Sequence, residues 1–210
     1  MAKRETPHAI LLVEGPEDKH VIQHLSTAHG IVRDSFEIVV KEGYENLLNT
    51  LDVELDGSEL QRLGIVVDAD LDISARWYSL RNRLQRCGYA SLPQQPQSSG
   101  IIINAPEQVT LGIWIMPNNQ LPGMLEDFAT YLVPSGDPLW ERAKQCAASI
   151  PAHERRFATH QQVKAEIHTW LAWQEFPGTP LGLAITRRYF DSHLPLAQQF
   201  STWLKQLFSI

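Results

Sequence analysis

The sequence predicts an α/β fold, a mostly parallel sheet flanked by helices over residues 1–133, continued by an all-helical extension over 134–210 that packs on it. Two observations carry this. The first half alternates short, β-branched apolar runs with amphipathic stretches that close on Gly or Pro, whereas from "GMLEDFATYLV" onward only helical periodicity remains. Acidic residues also stand directly behind the first and third apolar runs. Strand and helix in strict alternation imply parallel pairing through right-handed crossovers.

Taken in order, "HAILLVEG" reads as a buried strand, and "PEDKHVIQHLSTAHG" as a helix opened by Pro16 and acidic residues and closed by Gly30. "FEIVV" is a second strand. The short helix "YENLLNTL" and the loop "DVELDGSE" lead into the third strand, "LGIVV". A helix from Ile73 to Cys87 stops at Gly88, before the loop "LPQQPQSSG". The strands "GIIINAP" and "VTLGIWIMP" complete the sheet, and helices follow at 137–149, 159–175 and 195–208. No internal repeat is present.

At 210 residues, 43% hydrophobic and 20% charged, the chain has a globular composition and enough apolar content for a substantial core. The segment "MAKRETPHAILLVEG" has too short an apolar run for a signal peptide or a membrane span, which points to the cytoplasm and to no membrane partner. Cys87 and Cys146 lack a partner spacing, which excludes a disulfide framework and a zinc ribbon; both read as core residues. The net charge of −6 offers no global attraction to nucleic acid, so a polyanion would have to be met by local basic patches or through cations.

The chemistry concentrates in "LGIVVDADLD". If the strand persists through Asp70, Asp68 and Asp70 project to the same side. Two anions about 4 Å apart at an effective dielectric near 20 repel by on the order of 4 kcal/mol, which requires a proton, a basic partner or a metal ion. Ligands of open parallel sheets bind beyond the carboxyl ends of the strands. Glu14 ends the first strand, so if the first and third strands are neighbours, Glu14, Asp68 and Asp70 meet at one edge. An all-oxygen set suits Mg²⁺ or Mn²⁺ rather than zinc. The alternative is that these acids are caps and salt-bridge partners. Asp72, directly before Ile73, fits the N-cap of the following helix.

In "PNNQLPGMLEDF", Glu126 and Asp127 fall in the first turns of a helix. Either completes a second metal site, or both simply complement the helix dipole. In "HQQVKAEIHTWLAWQEF", Val163, Ile167, Trp170 and Leu171 form a buried stripe beside a polar row of His160, Lys164 and His168. Lys164 either reaches a phosphate and stabilises charge in the transition state or is a solvated flank. Along "ARWYSLRNRLQRCG", Trp77, Leu80, Leu84 and Cys87 share one face, which leaves Arg76, Arg83 and Arg86 on a common flank as contacts to nucleic-acid phosphates, with Arg81 opposite. Arg76 alternatively pairs with Asp72 four residues away. Arg155, Arg156, Arg187 and Arg188 are further phosphate candidates. His20 and His24 have the i,i+4 spacing of a zinc helix but no third ligand, and read as an exposed face.

"LLVEG" after the first strand and "VVDAD" after the third resemble the Glu and DxD motifs of the Toprim domain, found in topoisomerases, bacterial primases, overcoming-lysogenization-defect (OLD) nucleases and a ribosomal RNA maturase. The resemblance covers residues 1–133, and "IWIMPNNQLPGMLEDF" is similar to the matching segment of small stand-alone prokaryotic Toprim-like proteins. It implies a Toprim, Rossmann-like sheet, Glu14 as metal ligand or general acid/base, and Mg²⁺ (or Mn²⁺) on Asp68 and Asp70. Glu126 would match the later acid of OLD-type members, and Lys164 their lysine beyond the sheet. The implied activity is metal-dependent phosphodiester cleavage of DNA or RNA, by analogy the effector of a phage-defence system with a partner ATPase, and a homo-oligomer stays open. The chain departs from topoisomerases and primases in lacking a strand-passage module and a primase zinc domain. Two other readings remain: a non-catalytic Toprim module acting through a partner protein, and a nucleotide-sugar transferase, whose metal-binding DxD "VVDAD" also resembles.

Overall fold

The computed structural model describes residues 8–104 and 107–210. The elements are β1 (Ala9–Val13), α1 (Pro16–Ala28), β2 (Glu37–Val40), α2 (Tyr44–Leu55), β3 (Arg62–Asp68), α3 (Ile73–Arg86), β4 (Ile101–Ile103), β5 (Thr110–Met116), α4 (Leu125–Thr130), α5 (Pro138–Ala148), α6 (Gln162–Ala172), α7 (Leu181–Thr186) and α8 (Pro195–Phe208). They form the expected α/β architecture around a five-stranded sheet ordered β2-β1-β3-β5-β4. Every pairing is parallel except that of β4 with β5. The connection from β4 to β5 is too short for a crossover helix, so the two strands run antiparallel. β4 is also shorter than "GIIINAP"; Ala105 and Pro106 of that stretch lie outside the described residues.

Strand alternation divides the core into two layers. Ile65 and Val67 of β3, with Ile113 and Ile115 of β5, face α2 and α3 through Leu47, Leu51, Trp77, Leu80 and Leu84. Val66 and Trp114 point the other way, against Ile22 and Leu25 of α1 and Phe200, Trp203 and Leu207 of α8. The C-terminal helix therefore seats directly on the sheet. Its approach depends on glycine: a Cβ on Gly112 would lie 2.3 Å from Leu207 Cδ2, and one on Gly64 3.0 Å from the same atom. Trp203 Nε1 donates to the Ile101 carbonyl at 3.2 Å and Arg62 to the Leu207 carbonyl at 2.7 Å, tying both ends of the contact.

Four expectations change. The "DVELDGSE" loop begins as helix, because α2 runs on to Leu55, where Glu54 pairs with Lys41 and Asp52 with Arg83 of α3. α7, only six residues long, is too short to announce itself by periodicity. It packs on α1 at Gly182, where a Cβ would lie 2.8 Å from the His20 main chain. His24 Nδ1 meets Thr186 Oγ1 at 2.7 Å, so the His20/His24 row carries a helix contact at His24 while His20 stays exposed. Cys146 is exposed and Cys87 half-buried, so neither is a fully buried core residue. Among the described residues, no helix is long and apolar enough to cross a membrane.

Candidate functional site

β2 lies on one side of β1 and β3 on the other, so the connection direction reverses at the carboxyl ends of β1 and β3. A crevice opens at such a reversal, and it is the ligand position of open α/β sheets. The register pairs Val13 with Val66, which sets Glu14 beside the end of β3. Glu14 Oε1 accepts the main-chain N–H of Asp68 at 2.8 Å. α1 adds Asp18, 8% exposed, whose Oδ2 accepts the Gly15 N–H at 2.8 Å. From beyond β5, α4 adds Glu126, 3% exposed, and α6 brings Lys164 into an ion pair with it.

These carboxylates crowd one another. Burial, reinforced by the charges of Asp18, Glu14, Glu126 and Asp70, pushes Asp68 up to about 9. Burial likewise raises Asp18 to about 6, opposed by the Gly15 N–H and reinforced by Glu14 and Glu126. Glu14 is raised by burial, with the Asp68 N–H and Arg76 acting against it. Lys164 is held above its ordinary value by its hydrogen bond to Glu126, and the charges of Glu126, Glu17 and Asp68 act in the same direction. Asp68 Oδ1 is buried and has no hydrogen-bond partner. A buried carboxylate oxygen without a donor, surrounded by other carboxylates, is a place for a proton or a cation. The donor set is oxygen throughout, which fits Mg²⁺ or Mn²⁺.

The expected projection of Asp68 and Asp70 to one side does not occur. β3 ends at Asp68, and Asp70 turns to a φ of 53°. Its main chain is locked there by hydrogen bonds with Gly123 in both directions, at 2.9 and 2.7 Å. The turn relieves the repulsion: the Asp70 carboxylate swings to the rim and pairs with Arg76, itself stacked 3.7 Å from the Tyr44 ring centroid. Among the described residues, Glu14, Asp68 and Asp70 accordingly do not gather three ligand oxygens within 4.8 Å; the group that does converge so closely is Glu17, Glu126 and His168.

Other candidates fall into place around this centre. Asp72 caps α3, accepting from Ser74 N–H at 2.8 Å and Ala75 N–H at 3.0 Å, and it is Asp70, not Asp72, that pairs with Arg76. Asp127 caps the start of α4, where Oδ2 accepts the Met124 N–H at 2.8 Å. Arg76, Arg83 and Arg86 stand in different surroundings. Arg83 is tied to Asp52 at 2.8 Å, and exposed Arg86 lies ten residues beyond Arg76, roughly 15 Å along the helix. Beside the acids is a cleft of about 460 Å³ lined by Asp70, Leu71, Pro122, Met124, Asp127 and His160. Sequence reasoning missed Asp18 and Glu17. Both pass as ordinary first-turn acids.

A family model described as protein of unknown function (DUF3226) matches residues 8–209, and the chain belongs to that family. No curated protein and no solved structure matches it.

Proposed function

We propose that this member of the family is a Mg²⁺- or Mn²⁺-dependent nuclease, a hydrolase of phosphodiester bonds in DNA or RNA. The observation that carries the reading is Asp68: a buried carboxylate with an unpartnered oxygen, packed among Glu14, Asp18 and Glu126 at the crevice of the sheet. Such an arrangement opposes folding, and groups perturbed in this way concentrate where chemistry is done. Glu14 and Asp68 would hold the cation. Held there, a divalent cation would supply Lewis-acid polarisation of a phosphate oxygen and would acidify a coordinated water.

The remaining groups follow from position. Glu14 fixes the Asp68 main chain and so orients its carboxylate. Arg76, on the rim with Asp70, meets the incoming phosphate backbone, and Lys164 balances the buried Glu126 while extending toward the same crevice. The resemblance of "LLVEG" and "VVDAD" to Toprim motifs supports phosphodiester chemistry. A nucleotide-sugar transferase leaves Glu14 and Glu126 without a task, and a module acting only through a partner has no need of a buried, mutually repelling carboxylate set.

The test is calorimetric titration of Mg²⁺ and Mn²⁺ into the wild-type chain and Asp68→Ala, with a panel of DNA and RNA substrates incubated under the same conditions. Saturable binding and metal-dependent cleavage, both lost in Asp68→Ala, are expected. Absence of binding in the wild type would overturn the reading.

A further inference from the structure

Glu17 and His168 have no task in the centre described above. With Glu126 they nevertheless bring three ligand atoms within 4.8 Å of one another, from the first turn of α1, the first turn of α4 and the middle of α6. Residues so far apart in sequence meet because α6 packs against α4, which places His168 beside Glu126. We propose that Glu17, Glu126 and His168 form a second metal site, selective for Mn²⁺ or Zn²⁺ over Mg²⁺. As the second cation of the nuclease centre the site rests on the reading above, but its ligands are separate from Glu14 and Asp68.

The donor chemistry sets the selectivity. Two carboxylates alone accept Mg²⁺ readily, but an imidazole nitrogen is a ligand for transition metals and zinc, and Mg²⁺ keeps its waters rather than take it. Two carboxylates and one imidazole on one side also leave the remaining positions open for water or a phosphate oxygen.

Burial and charge supply an independent argument. Glu126 is 3% exposed, and a buried carboxylate needs a counter-charge. In the protein as it stands Lys164 provides it, yet the Lys164 side chain is 45% exposed on a long flexible stem. Its ammonium group can withdraw into water when a dication arrives, at small desolvation cost. Lys164 is thus the stand-in cation of the site, and metal and lysine compete for Glu126. His168 is exposed, so the site is open to exchange with solvent and its replacement leaves the core intact.

The test is pulsed EPR of Mn²⁺ bound to the tag-free full chain, with binding stoichiometry measured in parallel. A nitrogen coupling from a directly bound imidazole is expected in the wild type. His168→Ala abolishes the coupling and removes one ion from the stoichiometry, Glu17→Gln weakens that ion by at least about tenfold, and Lys164→Ala tightens it. Zn²⁺ displaces it, and equimolar Mg²⁺ does not. The inference is overturned by absence of nitrogen coupling in the wild type, by coupling that survives His168→Ala, or by displacement with equimolar Mg²⁺. Asp68→Ala separates the two proposals: retention of the nitrogen-coupled ion together with unchanged total stoichiometry and cleavage counts against the nuclease centre and leaves this site standing.

Discussion

The side chain of Glu14 holds the main chain of Asp68: Oε1 accepts the Asp68 N–H at 2.8 Å where β1 and β3 end side by side. Glu14 therefore contributes both an acceptor and a charge, and the two are separable. Glu14→Gln keeps an acceptor oxygen and is expected to melt no lower than the wild type while losing Mg²⁺ or Mn²⁺ affinity by at least about tenfold. Glu14→Ala strands the N–H and is expected to cost about 1–3 kcal/mol. Thermal denaturation beside calorimetric metal titration distinguishes the two.

Asp68 makes stability depend on pH in the metal-free protein. Its folded value of about 9 lies above the ordinary 3.8, so the folded state binds the proton more tightly. The stabilising contribution is complete below about 3.8 and is lost as pH rises toward about 9, with Asp18 adding to the loss between 3.8 and about 6. Metal-free wild type is expected to melt higher at mildly acidic than at mildly alkaline pH. Asp68→Asn should remove most of that slope and gain at least about 1 kcal/mol on the alkaline side, some 2–4 °C for a chain of this size. A melting series in chelator across this range reads the effect.

Arg76 is the arginine of α3 that stands at the crevice. Arg76→Ala is expected to weaken nucleic-acid binding and reduce the slope of log affinity against log salt by about one, while Arg86→Ala leaves both unchanged. The stability cost of losing the Asp70 pair and the Tyr44 stack is about 1 kcal/mol, since Asp70 is largely solvated. Fluorescence anisotropy at several salt concentrations, run with Mg²⁺ and Asp68→Asn to prevent turnover, measures it.

The seat of α8 on the sheet is tested at Gly112. A methyl group there meets Leu207 at 2.3 Å, so Gly112→Ala is expected to destabilise by about 1–3 kcal/mol in urea unfolding. Deletion of residues 195–210 uncovers Trp114 and Val66 and is expected to yield aggregated protein, seen by gel filtration.

Much of the centre is visible as local pattern. Apolar runs of β-branched residues mark β1, β3 and β5, and the acids behind β1 and β3 follow at once in the chain, so their position at the sheet edge is a consequence of strand geometry. Asp72 is legible as a cap because a cap bonds only two or three residues ahead. The role of Asp127 is equally local but is hidden, since a first-turn acid looks the same whether it caps, complements the dipole or binds a metal.

What the sequence by itself determined is the α/β class, the run of strands and most helices, and which carboxylates end the first and third strands, because these depend on periodicity and turn chemistry within a few residues. The tertiary structure alone decided that β1 and β3 are neighbours, that Asp70 turns away to Arg76, that Asp18 and Glu126 close around Asp68, and that α6 carries Lys164 and His168 to α4. Those outcomes depend on long-range packing and on mutual repulsion of charges, which take effect only once the chain has brought distant residues together.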